Sequence, residues 1–490
     1  MKKIITLMFI IGYSISILAQ NEVDAFRFSQ FYYSGTARSM SMANSFGALG
    51  ADISTASTNP AGMGVFKHSQ IVFTPSLIMS NATGSFNGSE VYNDKFSAMI
   101  NNLGLVFSSY NEDNDLRAFS FSFGYNRTNN FDHNVNISGV NDKGSMLDYF
   151  MLDANGNTPE QLNNFTTFRA WDTWLLDTVS GAPTSYTNPL WWTQTGDNTP
   201  QYGETQTKYI QTNGGSGEFY GNIAFNFKDV LFGGITVGMQ NLSYSSHSVY
   251  NESNFVDNSD LNNFTFEEYL TDNGSGINIK AGLIVMPIKF VRIGAAIHSP
   301  TYFTINDKYH TGVSSHWNSL DANGYKDYES TTETNLYKYH ILSPMRAYGD
   351  VGFIIGNMGL IGFEYEYVDY SKMRLSANDY MFIDENNTIR NNFKSTYNLK
   401  AGAELNLKIV RLRAGYALFG NPYASSVNVF DKSQISAGFG LNFKYIYFDF
   451  AYVYDNSNYT DYFYNGYTDE PIPSVNLVDG IMSFTLGVRY

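Results

Sequence analysis

The last nine residues, Met482-Ser-Phe-Thr-Leu-Gly-Val-Arg-Tyr490, decide how the chain is read. Met482, Phe484, Leu486, Val488 and Tyr490 fall on one side of an extended backbone, while Ser483, Thr485, Gly487 and Arg489 fall on the other. This follows because successive side chains of a strand point to opposite faces. One face suits hydrocarbon and the other suits water. The split recurs upstream: Phe119, Phe121, Phe123 and Tyr125 oppose Ser120, Ser122, Gly124 and Asn126. Phe219, Ile223, Phe225 and Phe227 oppose Tyr220, Asn222, Asn226 and Lys228; Ile277, Ile279, Ala281, Leu283 and Val285 oppose Asn278, Lys280 and Gly282. Ile361, Phe363, Tyr365 and Tyr367 oppose Gly362, Glu364 and Glu366, and Tyr397, Leu399, Ala401, Ala403, Leu405 and Leu407 oppose a row that holds Lys400 and Glu404. Charges opposite an unbroken apolar face are out of place in a sandwich core and natural along a hydrated lumen.

About fourteen such segments run to the end of the chain, each close to the 9–11 residues that cross a bilayer as a tilted strand. They start near 69, 102, 116, 217, 232, 276, 289, 344, 358, 394, 409, 433, 445 and 480. Their connections alternate in length. Short ones lie near 112–115, 228–231, 286–288, 356–358, 408–409 and 444, and long ones cover 80–101, 128–216, 246–275, 300–343, 371–393, 420–432 and 457–479. The fold class read from this is all-β, an antiparallel transmembrane barrel with short turns on the periplasmic side and long loops outside. Closure is required, since an open edge in hydrocarbon leaves unpaired amides at several kcal/mol each.

Composition agrees. Aromatic residues make up 16% of the 490 residues and charged ones only 15%, against about 25% charged in soluble domains. The absence of cysteine rules out a disulfide framework, a thiolate metal site and a Cys nucleophile. A net charge of -15 without clustered Lys or Arg argues against nucleic acid as a partner. Residues 1–19, MKKIITLMFIIGYSISILA, have the layout of a secretory signal peptide, and no later run of about 18 apolar residues offers a helical span. The seven histidines show no metal-ligand spacing. Asp153-Ala-Asn-Gly-Asn157 and Asp321-Ala-Asn-Gly324 lack the order of a calcium loop and read as turns. No nucleophile–base pair stands out, so no catalytic residue, metal site or cofactor is assigned. Glu364, Glu366, Asp449, Lys280, Arg292 and Lys400 read as a solvated lumen wall.

Ahead of the first strand, residues 35–66 read GTARSMSMANSFGALGADISTASTNPAGMGVF, nearly uncharged and built of small residues, methionines and scattered aromatics. Such a stretch forms no core alone and needs walls; it is read as a plug inside the barrel. Pro60 fixes its own φ and biases Asn59 away from helix, and the glycines permit unusual backbone angles. Met40, Met42, Phe46, Leu49, Ile53, Met63 and Phe66 are the candidates to line an adaptable apolar pocket, Met being flexible; contact with the barrel wall is the other reading. All five tryptophans fall in the long loops. The spacing of Leu162, Phe165, Phe168, Trp171, Leu175 and Leu176 predicts a short amphipathic helix within 158–177, and 260–270 is a second helix candidate. Phe165, Trp171 and Trp174 are the external candidates for catching an apolar ligand, unless these stripes simply pack the loops together.

The segments Ala43-Asn-Ser-Phe-Gly-Ala48 and Asp52-Ile-Ser-Thr-Ala-Ser-Thr-Asn-Pro-Ala-Gly-Met63, placed between an export signal and alternating strands, resemble the FadL/TodX type of outer-membrane transporters for long-chain fatty acids and other hydrophobic compounds. Asn59, Pro60, Ala61 and Gly62 match that family's hatch motif. The resemblance implies a barrel blocked by an N-terminal hatch, ligand capture at external loops, an apolar site above the hatch, and a movement of the hatch that opens a way out, including sideways through a kinked strand. The expected domains are a signal peptide (1–19), a hatch (20–68) and a barrel (69–490) with external loops 128–216, 246–275 and 300–343. The expected function is passive uptake of hydrophobic small molecules, long-chain fatty acids first, by a monomer in the lipid of the outer membrane of a Gram-negative bacterium. The alternatives are a surface adhesin that binds a partner through aromatic loops and a heme-binding receptor.

Overall fold

The computed structural model describes residues 22–192, 200–255, 259–425, 430–464 and 471–490. The expected signal peptide lies outside the described residues. Fourteen antiparallel strands close on themselves: β1 Gln70–Phe86, β2 Ser89–Tyr110, β3 Leu116–Asn130, β4 Glu204–Phe227, β5 Leu231–Ser253 and β6 Leu261–Ile288 come first. β7 runs as Val291–His298 and, after a break, as Tyr302–Trp317; β8 runs as Asn335–Leu342 and, after a break, as Arg346–Ile355. The remainder are β9 Gly359–Asp369, β10 Ser395–Leu407, β11 Val410–Phe419, β12 Phe430–Asn442, β13 Ile446–Thr460 and β14 Ser474–Arg489. β14 pairs with β1 from Gln70↔Arg489 to Ser85↔Ser474, which closes the barrel. The breaks in β7 and β8 both carry a Ser-Pro pair, Ser299-Pro300 and Ser343-Pro344, as expected for a residue that cannot donate to the ladder. They lie side by side, joined by the Ser343 amide donating to the Thr301 carbonyl at 3.0 Å.

The alternation seen in the sequence is the in–out alternation of the wall. Phe119, Phe121, Phe123, Ile223, Ile277, Ile279 and Leu283 point outward and are exposed, while Ser120, Ser122, Asn222, Asn278 and Lys280 point inward and are buried. The turns at Lys228-Asp229, Gly356 and Lys408 take left-handed backbone angles, which fits connections of two or three residues. No described helix is long and apolar enough to cross a membrane.

Several segments read as loops are strand. Residues 80–101 continue β1 and β2 to a tight turn at Asn87-Gly88, with φ of 49° and 81°. Much of 246–275 and 302–317 extends β5, β6 and β7, and the helix candidate at 260–270 is part of β6. These extensions are rich in Ser, Thr, Asn and Gly, so neither face shows a clear apolar period. Their backbones pair because neighbouring strands continue beside them. Within 158–177 a short 3₁₀ turn, Pro159–Gln161, is followed by a helix over Thr167–Asp172.

The lumen is filled in three tiers. Residues 35–66 form the lowest. Above them an aromatic cluster gathers the helix Glu22–Ser29 and residues 31–33 against inward side chains of the extended wall. At the top, the helices Met146–Ala154 and Thr167–Asp172 pack with Tyr250, Phe264, Phe266 and Trp317 to cap the mouth.

Candidate functional site

The hatch folds locally through its small polar residues. Thr36 caps the turn Ala37–Met40 by accepting from the Ser39 amide at 3.1 Å, and Asn59 caps the 3₁₀ turn Pro60–Val65 by accepting from the Ala61 amide at 3.2 Å. Pro at the first helical position is pre-set for this turn. Asp52 accepts from the hydroxyls of Thr36 (2.7 Å) and Ser54 (2.6 Å), tying the two halves together.

Inward glycines of the wall form a seat for this segment. A side chain at Gly234 would meet the Pro60 carbonyl, one at Gly282 the Asn59 side chain, one at Gly362 the Ser45 carbonyl, and one at Gly402 the Met42 carbonyl. At Gly234, Gly362 and Gly402 the obstacle is hatch backbone and at Gly282 it is the Asn59 side chain, so the strands have no room for a Cβ.

Charged groups then hold the hatch down. Lys280 donates to both carboxylate oxygens of Glu218 at 2.5 and 2.6 Å and to the Ser57 carbonyl at 3.1 Å. The Ser57 hydroxyl donates to Glu218 at 2.7 Å, and Asn126 donates to Ser57 at 2.7 Å. Nearby, Thr236 donates to the Ala56 carbonyl at 2.7 Å, His298 donates to the Thr58 carbonyl at 2.7 Å, and Asn59 donates to Asp350 at 3.3 Å. On the opposite wall Arg38 of the hatch pairs with Glu404 at 3.0 Å, which also takes Arg413 at 2.7 Å. Five of the six lumen charges read as a solvated wall are instead buried or nearly so and ion-paired: Lys280 with Glu218 (0% exposed side chains), Lys400 with Glu364 at 2.8 Å, Glu366 with Arg346 and Asp449 with Arg413. The sixth, Arg292, is half-buried and donates to the Leu49 carbonyl of the hatch. The hatch has replaced the water that an open lumen would hold. A sequence shows which face a charge is on, and it does not show what fills the space in front of it.

The middle tier is built of aromatic rings, with the Arg27–Asp24 ion pair set among them and Arg27 over the Tyr244 ring. Phe26 lies against Tyr370 and Phe393 with ring centroids 5.2 and 5.1 Å apart, Phe28 against Tyr244 at 5.9 Å, and Phe31 against Phe303 at 6.4 Å. Burying each large side chain contributes about 1.5–3 kcal/mol. Arg346 sits at the base of the tier, paired with Glu366 and donating to the Ser29 carbonyl at 2.6 Å. Between this tier and the hatch the chain bonds to an irregularity in β3. The register shifts between Arg127 and Asn129, and the amides of Tyr32 and Ser34 donate to the carbonyls of Thr128 (2.7 Å) and Arg127 (2.9 Å).

The residues singled out in the sequence are spread over this frame. Met40 packs on Ala451 and Val453; Met42, Phe46 and Leu49 cluster near Leu360; Ile53, Met63 and Phe66 pack on Val72, Val106 and Tyr220. All seven are buried, in three groups against the wall. Phe165 lies on Tyr309 with centroids 5.3 Å apart, Trp171 on Phe168 at 5.7 Å, and Trp174 is half exposed beside Tyr328. Phe26, Phe28, Phe31 and Tyr33, which form the middle tier, had one signal in the sequence: a dense aromatic run directly ahead of the hatch.

No family model and no curated protein matches this sequence. Solved structures do match. A Pseudomonas aeruginosa FadL homologue superposes with a TM-score of 0.55 at 13% identity, over 93% of this chain and 98% of that one. The P. putida toluene transporter TodX superposes with a TM-score of 0.51 at 10% identity, over 93% and 99%. The CymD monoaromatic hydrocarbon channel superposes with a TM-score of 0.50 at 10% identity, over 93% and 98%. The fold is thus that of the FadL/TodX-type channels, a fourteen-stranded barrel with its N-terminal segment plugging the lumen. At such identities the likeness speaks for architecture.

Proposed function

We propose that this protein is an outer-membrane channel for passive uptake of hydrophobic small molecules, acting as a monomer in the lipid of a Gram-negative outer membrane. The observation that carries the reading is the middle tier. An aromatic chamber lies between the external cap and the hatch, and it is occupied by the chain's own Phe26, Phe28 and Phe31. An apolar solute that displaces these rings replaces like with like, so exchange costs little hydrophobic free energy. Displacing the segment also withdraws the Tyr32 and Ser34 amides from the irregular part of β3, which offers a sideways route into hydrocarbon. A solute leaving that way gains about 0.8 kcal/mol per CH₂.

Phe165, Trp171 and Trp174 serve as the external catch in this reading, and Asn59-Pro60-Ala61-Gly62 as the pivot of the hatch. The pocket is made when Met42, Phe46 and their neighbours repack. Long-chain fatty acids are the first ligand class to test and monoaromatic hydrocarbons, named for two of the structural neighbours, the second. Cells carrying the intact protein, or a form with Asn59, Pro60 and Ala61 replaced, are compared for uptake of a labelled fatty acid and of labelled toluene, with barrel assembly checked by heat-modifiable gel mobility. Uptake above that of cells lacking the protein, altered by the hatch change, supports the channel. Uptake of neither compound above background refutes it and leaves binding of a partner by the aromatic cap as the reading to pursue.

A further inference from the structure

Beneath the hatch, at the end of the lumen next to the short turns, a cavity of about 310 Å³ is lined by arginines. Arg38, Arg411, Arg413 and Arg489 face it, with Asp52 and Asp449 on its wall and Glu404 behind Arg38 and Arg413. Two of the three carboxylates are ion-paired, Glu404 with Arg38 and Arg413 and Asp449 with Arg413 at 2.7 Å, while Asp52 is held by the neutral hydroxyls of Thr36 and Ser54. Two guanidinium groups are left without a close carboxylate. Arg411 approaches Glu404 only to 3.9 Å, its Nε is buried with no acceptor among the described residues, and its charged neighbours are Arg38 and Arg413 as well as Glu404 and Asp449. Arg489 donates to the Asn442 side chain at 2.9 Å and lies over the Tyr447 ring, with no carboxylate within ion-pair distance among the described residues. These groups project from neighbouring strands, Arg411 from β11, Asn442 from β12, Tyr447 from β13 and Arg489 from β14, so the wall itself fixes their spacing.

A chain of net charge -15 has here set four arginines against three carboxylates. Guanidinium forks match planar and tetrahedral oxyanions bidentately, and do so best where water is scarce. We propose that this vestibule is a binding site for a small oxyanion of the carboxylate or phosphate class, held by Arg411 and Arg489. A carboxylate at the end of an amphiphile that has passed the hatch and a free phosphate from the turn side present the same chemistry to these forks. The site stands apart from the uptake reading, since it rests on the underside of the hatch and not on the chamber above it.

The test is equilibrium dialysis of the purified full barrel in detergent micelles against radiolabelled inorganic phosphate and, separately, radiolabelled acetate. Saturable binding is expected for at least one. It weakens about tenfold or more in Arg411→Gln/Arg489→Gln, because hydrogen bonds to a charged group are lost. Gln70→Glu, at the register partner of Arg489, supplies a tethered carboxylate and is expected to compete the anion away while both arginines remain. Heat-modifiable mobility confirms assembly of each variant. Binding of acetate alone assigns the carboxylate source and binding of phosphate alone the free anion. No saturable binding of either, or binding unchanged in both an assembled arginine variant and Gln70→Glu, overturns the proposal.

Discussion

Replacing Lys280 with Met tests whether buried charge pairing holds the hatch shut. Lys280 and Glu218 have fully buried side chains, and the pair is bonded to hatch atoms on two sides, through the Ser57 carbonyl and the Ser57 hydroxyl. Removing one partner of a buried pair leaves an uncompensated charge, at about 3–5 kcal/mol. Glu218 keeps donors from Ser57 and Gln240, but neither carries charge. The carboxylate regains solvation only if the hatch lifts and water enters. The cost of the substitution therefore falls mainly on the docked state, and the undocked fraction rises by about two to four orders of magnitude. The chain has no cysteine, so Ala56→Cys gives a single thiol at a fully buried hatch position. Its maleimide labelling rate on the folded barrel reads hatch opening directly. Lys280→Met in that background is expected to raise the rate at least a hundredfold, and Lys280→Met/Glu218→Met to return most of the way, because an apolar pair removes the stranded charge. A Lys280→Met barrel of normal heat-modifiable mobility that labels at the parent rate would refute the reasoning.

Three further outcomes are expected. Gly282→Val places a side chain where Asn59 sits; overpacking of this kind costs about 1–3 kcal/mol, so Ala56→Cys labels faster while barrel assembly is unchanged. Phe28→Ala removes a buried ring at about 3–5 kcal/mol and loosens the middle tier, seen as increased uptake of an apolar dye by intact cells; unchanged uptake counts against the chamber. The third concerns pH. Glu204 and Glu252 lie beneath the external cap, far along β4 and β5 from the apolar belt, and burial raises both above the ordinary value of 4.5, with Glu252 also pushing Glu204 up. A carboxyl whose folded value is raised favours the folded cap while protonated. The cap is thus most stable below about pH 4.5, and each group loses up to about 1.4 kcal/mol per unit as pH rises toward its folded value. Because Glu252 also receives the Ser145 hydroxyl and the Met146 amide at the start of helix Met146–Ala154, hydrogen exchange there, corrected for intrinsic rates, is expected to lose protection between pH 5 and pH 8. Constant protection across that range rejects the assignment.

The wall of this protein is written in its sequence. The period-two alternation at Phe119–Tyr125, Ile277–Val285 and Met482–Tyr490 is local, and with short turns at Lys228-Asp229 and Lys408 it is enough to call a closed antiparallel barrel of about fourteen strands. The hatch is legible too, since residues 35–66 are too small and too uncharged to fold without walls. What the tertiary structure alone decided is what fills the lumen. Wall glycines such as Gly234 and Gly402 look like turn or wet-face residues until a hatch backbone is pressed against them. Lys280, Glu364 and Lys400 look solvated until hatch atoms displace the water. The strand extensions past the belt carry no apolar period, and they form because adjacent backbones continue to pair. Alternation is a property of neighbours along the chain, whereas burial of a lumen charge, the seating of Asn59 and the crowding of four arginines under the hatch depend on groups brought together from hundreds of residues away.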